Sequence, residues 1–212
     1  MRREVDVPRD LASEPALVLH PVTPERWRDL EALFGPRGAC AGCWCMWWRL
    51  GRKEFEAQKG ENNRRALKQL VARGAVPGVL AYRDDQPAGW CCIGPRDDFP
   101  ALDRSRVLAR VDELPVWSIV CFFIVRRHRH QGLSTRLAQA AVDYARASGA
   151  EVVEAYPIDT SSPAYPDAYA YTGLVPTFTR IGFTEVARRS PSRPILRLAT
   201  RPSAKGKGAK HG

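Results

Sequence analysis

Val116-Trp117-Ser118-Ile119-Val120-Cys121-Phe122-Phe123-Ile124-Val125 is almost continuously apolar, and it runs straight into Arg126-Arg127-His128-Arg129-His130-Gln131-Gly132-Leu133-Ser134. A strand that is apolar on both faces belongs inside a sheet covered on each side. Beyond it, Leu137, Ala140, Ala141 and Tyr144 recur at helical spacing until Gly149, and Glu151 to Tyr156 reads as another strand. Strand, helix, strand predicts a parallel crossover, and with it an α/β fold.

Working outward from that centre, Gly78 to Arg83 and Ala88 to Gly94 are strand-like runs on either side of Asp84-Asp85-Gln86-Pro87, which predicts an antiparallel hairpin. Asn62 to Arg73 carries Ala66, Leu67, Leu70 and Val71 on one face and stops at Gly74, as a helix does. Thr23-Pro24-Glu25 has the form of a helix start, with Trp27, Leu30, Leu33 and Phe34 as the apolar stripe. A first strand is expected at Ala16 to His20, and a loop or short irregular helix over Pro95 to Asp112. After a proline-rich loop come a short helix near Leu174 to Arg180, a strand from Phe183, and a last strand at Ile195 to Ala199. The expected organisation is a loose leader at 1–14, one domain over 15–200, and a mobile basic tail at 201–212.

The composition of this 212-residue chain, 44% apolar and 26% charged, is that of an ordinary globular domain. No apolar stretch reaches membrane-spanning length, and the start Met1-Arg2-Arg3-Glu4 lacks the apolar segment of a secretory signal, so a cytoplasmic protein without a membrane partner is expected. Six cysteines without such a signal are expected to be reduced thiols rather than a disulfide framework. The net charge of +10 points to an anionic partner, although the tail supplies part of it. The sequence does not specify an oligomeric state.

The turn from the central strand into its helix carries the chemistry. A helix start presents unpaired backbone N–H groups and the positive end of the dipole, Gly132 lets a ligand approach the backbone, and Arg129 can add a charge-assisted contact. Phosphate is the natural ligand of such a turn. On the turn alone, a merely solvated basic loop fits as well. His128 and His130 extend the basic run, but no nucleic-acid reading motif or interleaved aromatic accompanies it.

Arg129, Gly132 and Ser134 occupy the places of the acetyl-CoA loop of the GNAT N-acetyltransferase superfamily, which the sequence resembles: Arg or Gln, two residues, Gly, one residue, then Gly or Ala. Arg180-Ile181-Gly182-Phe183-Thr184-Glu185-Val186 is similar to that superfamily's late Gly-Phe signature, and the elements follow in order from about 16 to 200. The resemblance implies a mixed, strongly twisted central sheet with helices on both faces, splayed between the strand ending at Val125 and the strand 151–156. It implies acetyl-CoA as co-substrate in that cleft, with the pantetheine arm along the backbone of Phe122, Phe123 and Ile124. The pyrophosphate would lie on Arg129, His130, Gln131, Gly132, Leu133, Ser134 and Thr135. The implied reaction is direct acetyl transfer to an amine in a ternary complex.

The sequence also departs from the resemblance. Phe178 stands where many members have the tyrosine that protonates the departing thiolate, and Tyr171 replaces an asparagine that often contacts CoA. Ser118 stands where some members carry a glutamate base. Tyr171 is therefore a candidate acid; Ser118, Glu113, Asp159 or a water chain are candidates for the base. Trp44, Trp47 and Trp48 form either an aromatic wall of the acceptor pocket or core packing. Cys40 and Cys43 have metal-ligand spacing, but Cys91 and Cys92 are adjacent in an expected strand, so packing cysteines and no metal are expected. Two alternatives to the enzyme remain: a CoA-binding sensor of the same fold, motivated by Phe178 and Ser118, and a basic nucleic-acid-binding protein.

Overall fold

A computed structural model describes residues 17–160 and 167–200; the leader, the tail and part of the proline-rich loop lie outside the described residues. Seven strands form one sheet in the order β1-β2-β3-β4-β5-β7-β6: β1 (Leu17–Pro21), β2 (Gly78–Arg83), β3 (Gln86–Pro95), β4 (Trp117–Ile124), β5 (Val152–Ala155), β6 (Thr184–Arg188) and β7 (Pro194–Ala199). Every neighbouring pair is antiparallel except β4 and β5. The helices are α1 (Trp27–Phe34), α2 (Arg52–Gln58), α3 (Glu61–Ala72), α4 (Pro100–Asp103), α5 (Leu133–Ala147) and α6 (Val175–Thr179).

Strand alternation divides the core in two. On β3, Trp90 and Cys92 face a layer containing Trp27, Leu30 and Phe34 of α1, Phe55 of α2 and Leu67 and Val71 of α3. Cys91 and Ile93 face Leu133, Leu137, Ala138, Ala141, Val142 and Ala145 of α5 on the other side. Successive side chains of a strand point to opposite faces, so a near-continuous apolar run is what two covered faces require. The expected mixed sheet with helices on both faces is present.

Three local readings change. The hairpin turn contracts to Asp84 and Asp85, both left-handed at φ 47° and 58°, which is the backbone of the tightest hairpin turn and lets β3 begin at Gln86. Helix α2 was missed because Phe55 is its only buried residue, too thin a stripe to register as a period. The helix expected at Pro24 opens as a 3-10 turn over Pro24–Arg26, with α1 proper starting at Trp27 and no side-chain cap from Thr23.

The sheet parts at one place. The β4–β5 ladder pairs Trp117 with Val153, Ser118 with Glu154 and Ile119 with Ala155, and ends there. The antiparallel β3–β4 ladder continues to Gly89 and Ile124, but with a bulge: Cys92 pairs with Cys121 and Ile93 with Ile119, leaving Val120 as the extra residue. Val120 and Cys121 consequently lie on the same face, in the α1 layer, which strict alternation forbids. Bulge and separation coincide, so Val120 to Ile124 run on without a β5 partner.

Candidate functional site

Past Ile124 the chain makes a 3-10 turn at Arg126–His128, a left-handed residue at His130 (φ 59°) and another at Gly132 (φ 72°), and then enters α5. A Cβ on Gly132 would meet nothing within 4 Å, so the backbone conformation and not crowding is what favours glycine there. The Gly132 carbonyl accepts from Thr135 and Arg136 at 3.1 and 3.3 Å and starts the helix, which buried Leu133 anchors to the α5 core. The amides of His130, Gln131, Gly132, Leu133 and Ser134 donate to no group among the described residues. They are the orphan donors of a helix start, gathered at the positive end of a 15-residue helix.

Around them stand cations without counter-ions. Arg126, Arg127, Arg129 and Arg136 pair with no carboxylate among the described residues. Arg129 Nε donates to the Ile124 carbonyl at 3.0 Å, which fixes its stem at the end of β4, and Gln131 Nε2 braces the turn through the Arg127 carbonyl at 2.9 Å. Partial burial and the neighbouring charges of Arg127 and Arg83 hold the His128 imidazole below its ordinary range, so it adds no charge at neutral pH. The turn is an exposed basic surface with five free N–H donors, positioned at the open end of the parted strands.

The unpartnered half of β4 supplies one wall of the gap. Phe122 lies edge to face with Phe178 at 5.9 Å, and Phe178 in turn with Phe183 at 5.2 Å. Gly173, at φ 86°, lets these rings close: a Cβ there would come within 2.8 Å of Phe178 and 3.1 Å of Phe122. Thr177 Oγ1 meets Ser134 Oγ at 3.5 Å, linking α6 to the start of α5. Phe178 is wholly buried, so the position that lacks the expected hydroxyl is a packing position in this chain.

The three tryptophans divide among different tasks. Trp44 is core, stacked on Trp27 at 6.2 Å and edge-on to Phe34 at 5.4 Å. Trp48 is buried and donates from Nε1 to the Val120 carbonyl at 3.1 Å, satisfying the bulge residue that no strand pairs. Trp47, 38% exposed and packed on Phe55 at 5.0 Å, alone of the three presents its ring to solvent.

Of the candidate proton-transfer residues, Ser118 lies in the paired half of β4 and is fully buried, its Oγ 2.8 Å from the Tyr156 hydroxyl. That hydroxyl donates to Glu154 at 2.6 Å, and Glu154 also accepts from Arg96 at 2.9 Å and from Arg197 at 2.7 Å. Arg96 reaches Asp103, and Arg197 reaches Asp112. The network runs from the buried Ser118, Tyr156 and Glu154 out to the exposed carboxylates of Asp103 and Asp112. Glu113 is exposed in the loop before β4, at the opposite end of the strand from the basic turn. Asp159 pairs with Arg188 at 2.9 Å. Tyr171 is half-buried beside the unpartnered half of β4, packed on the α1 layer with Cys121 and Phe123. The structure thus gathers Phe122 to Ile124, the basic turn and Tyr171 at one end of β4, leaves Glu113 beyond the other, and sets Ser118 in the paired stretch one residue before the β4–β5 ladder ends.

A cavity of about 410 Å³ opens at that other end, lined by Arg96, Asp97, Arg110, Trp117 and Glu151 among others. Acids and bases alternate around it, so it has none of the one-signed field of the turn.

The model of the Acetyltransferase (GNAT) family matches residues 44–169, more than half of the chain. The chain belongs to this family. In fold, this GNAT domain is similar to an N-acetyltransferase from Staphylococcus aureus Mu50, 11% identical over 88% of this chain and 99% of that one with a TM-score of 0.51. It is similar to YncA from Salmonella typhimurium, solved with its cofactor acetyl-CoA, at 14% identity over 89% and 96% with a TM-score of 0.52. A GNAT acetyltransferase from Streptococcus pneumoniae matches at 13% identity over 87% and 99%, with a TM-score of 0.51. No curated protein matches the chain.

Two features of this GNAT domain escaped the sequence reading. The buried Arg96–Glu154–Tyr156–Arg197 network had one available signal, Glu154 inside an otherwise apolar strand. The bond from Trp48 to the bulge had none, because 72 residues separate its ends. Among the described residues no group of three or more His, Cys, Asp or Glu has the geometry to hold a metal ion, and no helix is long and apolar enough to cross a membrane.

Proposed function

We propose that this GNAT acetyltransferase binds acetyl-CoA in the gap beyond Ile119 and transfers the acetyl group directly to an amine. The observation that carries the reading is the coincidence of five unpaired amides and unneutralised arginines with the end of a strand that has lost its neighbour. Phosphates suit Arg129 to Thr135, where helix dipole, amides and guanidinium act together. The pantetheine arm, itself an amide chain, suits the free edge at Phe122 to Ile124 as a substitute strand. YncA, which shares the fold, was solved with acetyl-CoA.

The acetyl group would then lie near the bulge. A neutral amine attacks the thioester carbonyl, and the enzyme contributes proximity and N–H donors for the developing oxyanion. Trp48 holds the Val120 carbonyl, and in a trans peptide this fixes the Cys121 N–H in the opposing direction. Tyr171, beside this half of β4, is the proposed donor to the departing thiolate. Ser118 is engaged with the Tyr156 hydroxyl and Glu113 lies in the loop before β4, so water is the proposed acceptor of the amine proton. Exposed Trp47 is the proposed aromatic contact for the acceptor, and 15–200 the proposed catalytic unit, working in the cytoplasm. Release of free CoA thiol from acetyl-CoA across a panel of amines tests the reading. Turnover on at least one amine is expected; saturable acetyl-CoA binding without release on any amine from pH 6 to 9 would make the protein a sensor.

A further inference from the structure

Four thiols gather under the β4 bulge, and acetyl transfer uses none of them. Cys45 is their centre. Its sulfur lies 3.7 Å from Cys121 Sγ, receives the Trp90 indole N–H at 3.1 Å, and has Cys43 and Cys92 as hydrogen-bonding neighbours. Cys45 and Cys92 are buried, Cys43 and Cys121 are partly exposed, and all four are free.

The members differ in chemistry. Hydrogen bonding from the Cys45 thiol, outweighing burial, brings Cys43 down to about 6, whereas its neighbours and burial push Cys45 well up. Cys43, partly exposed and donating to the Gly38 carbonyl at 3.7 Å, is thus the most readily ionised of the group, and its buried neighbour Cys45 lies 3.7 Å from Cys121 on β4. We propose that Cys43, Cys45 and Cys121 form an oxidative relay in which hydrogen peroxide is converted into a Cys45–Cys121 disulfide at the β4 bulge.

The steps balance. The Cys43 thiolate attacks one peroxide oxygen; an S–O bond forms, the O–O bond breaks, and sulfenic acid and hydroxide result. The Cys45 sulfur displaces hydroxide from Cys43, forming an S–S bond, and its proton leaves with that hydroxide as water. Cys121 then attacks Cys45, and Cys43 departs as thiolate while the Cys121 proton neutralises the first hydroxide. Two thiols and one peroxide have become one disulfide and two waters. The last exchange runs forward because Cys43 is a low-pKa leaving group and a bridge between residues two apart is strained.

The product alters the site. Bringing the sulfurs from 3.7 Å to about 2.05 Å draws Cys121, the residue after the bulge, toward the loop that also holds Val120 through Trp48. The disulfide itself stands on the sulfur geometry alone; its effect on turnover rests on the acetyltransferase reading.

The test uses the reduced full chain, hydrogen peroxide near stoichiometric amounts, alkylation after unfolding, and peptide mapping without reductant. The expected result is loss of two hydrogens per chain and one intramolecular cross-link, Cys45 to Cys121. Cys43→Ser should slow its formation by about tenfold or more, since the reactive thiolate is removed. Six alkylated thiols after peroxide, a cross-link through Cys40 or between chains, or an unchanged rate in Cys43→Ser overturns the relay. So does zinc held by these thiols in the purified reduced protein with no cross-link formed. The wild-type map needs no variant to fold. With an amine that turns over, the cross-linked enzyme should lose turnover and regain it with dithiothreitol; a complete cross-link with full turnover overturns the coupling to the bulge.

Discussion

The two halves of β4 hold polar groups in opposite ways. At Trp117 to Ile119 the strand is paired on both sides, and its polar neighbours, Ser118, Tyr156, Glu154, Arg96 and Arg197, bond to one another and to the aspartates Asp103 and Asp112. At Val120 to Ile124 one neighbour is gone, and the strand leads into amides and arginines that the protein leaves unsatisfied. Arginines occur at both ends, so charge alone does not mark a binding site. What separates the halves is whether the chain supplies the counter-charge itself.

Breaking the closed half should have the largest effect. Glu154→Gln removes the one carboxylate shared by Arg96 and Arg197; each keeps its aspartate, Asp103 or Asp112, so the loss is that of charged hydrogen bonds in the interior, about 1.5–3 kcal/mol. Thermal or denaturant unfolding should show that loss, while acetyl-CoA affinity of the folded protein stays within a few-fold. If stability is unchanged, the network is not what holds the paired half.

A second substitution tests the boundary between the halves. Phe178→Tyr looks from the sequence like the restoration of a catalytic hydroxyl near the cleft. Because Phe178 is fully buried against Phe122 and Phe183, the added oxygen should instead destabilise the protein by about 1–3 kcal/mol, the cost of an unsatisfied buried hydroxyl. Unfolding midpoints measure the cost, and a gain in kcat with unchanged stability would return this position to the catalytic site.

In the open half, Arg129→Glu should weaken acetyl-CoA binding in calorimetry by at least about tenfold, with little change in melting temperature, because it sets a like charge against phosphate. Unaltered affinity in a folded variant would remove the turn from the site. Tyr171→Phe sharpens the comparison further. It should lower kcat by about tenfold while KM for acetyl-CoA is nearly constant, since the proton is needed only in the transition state. Wild-type kcat in this variant would leave water as the acid.

Much of this was legible without coordinates because the signals are local. The apolar run of β4, the glycine and arginine of the turn, and the stripe of α5 are read within one or two turns of chain. They placed the parallel crossover; the point where the strands separate came from the family resemblance. Helix α2 was not legible, because one buried phenylalanine makes no period. Neither was the assignment of the tryptophans, since whether an indole lines a pocket or fills a core depends on what packs against it.

The sequence by itself determined the order of elements, the family resemblance and the character of the basic turn, each of which rests on contacts between near neighbours in the chain. Only the tertiary structure decided which polar groups are spent on one another. Arg96 meets Glu154 across 58 residues, Cys45 meets Cys121 across 76, and Trp48 meets Val120 across 72. Local pattern carries no information about such pairs, because loop closure brings them together only when the whole sheet has formed.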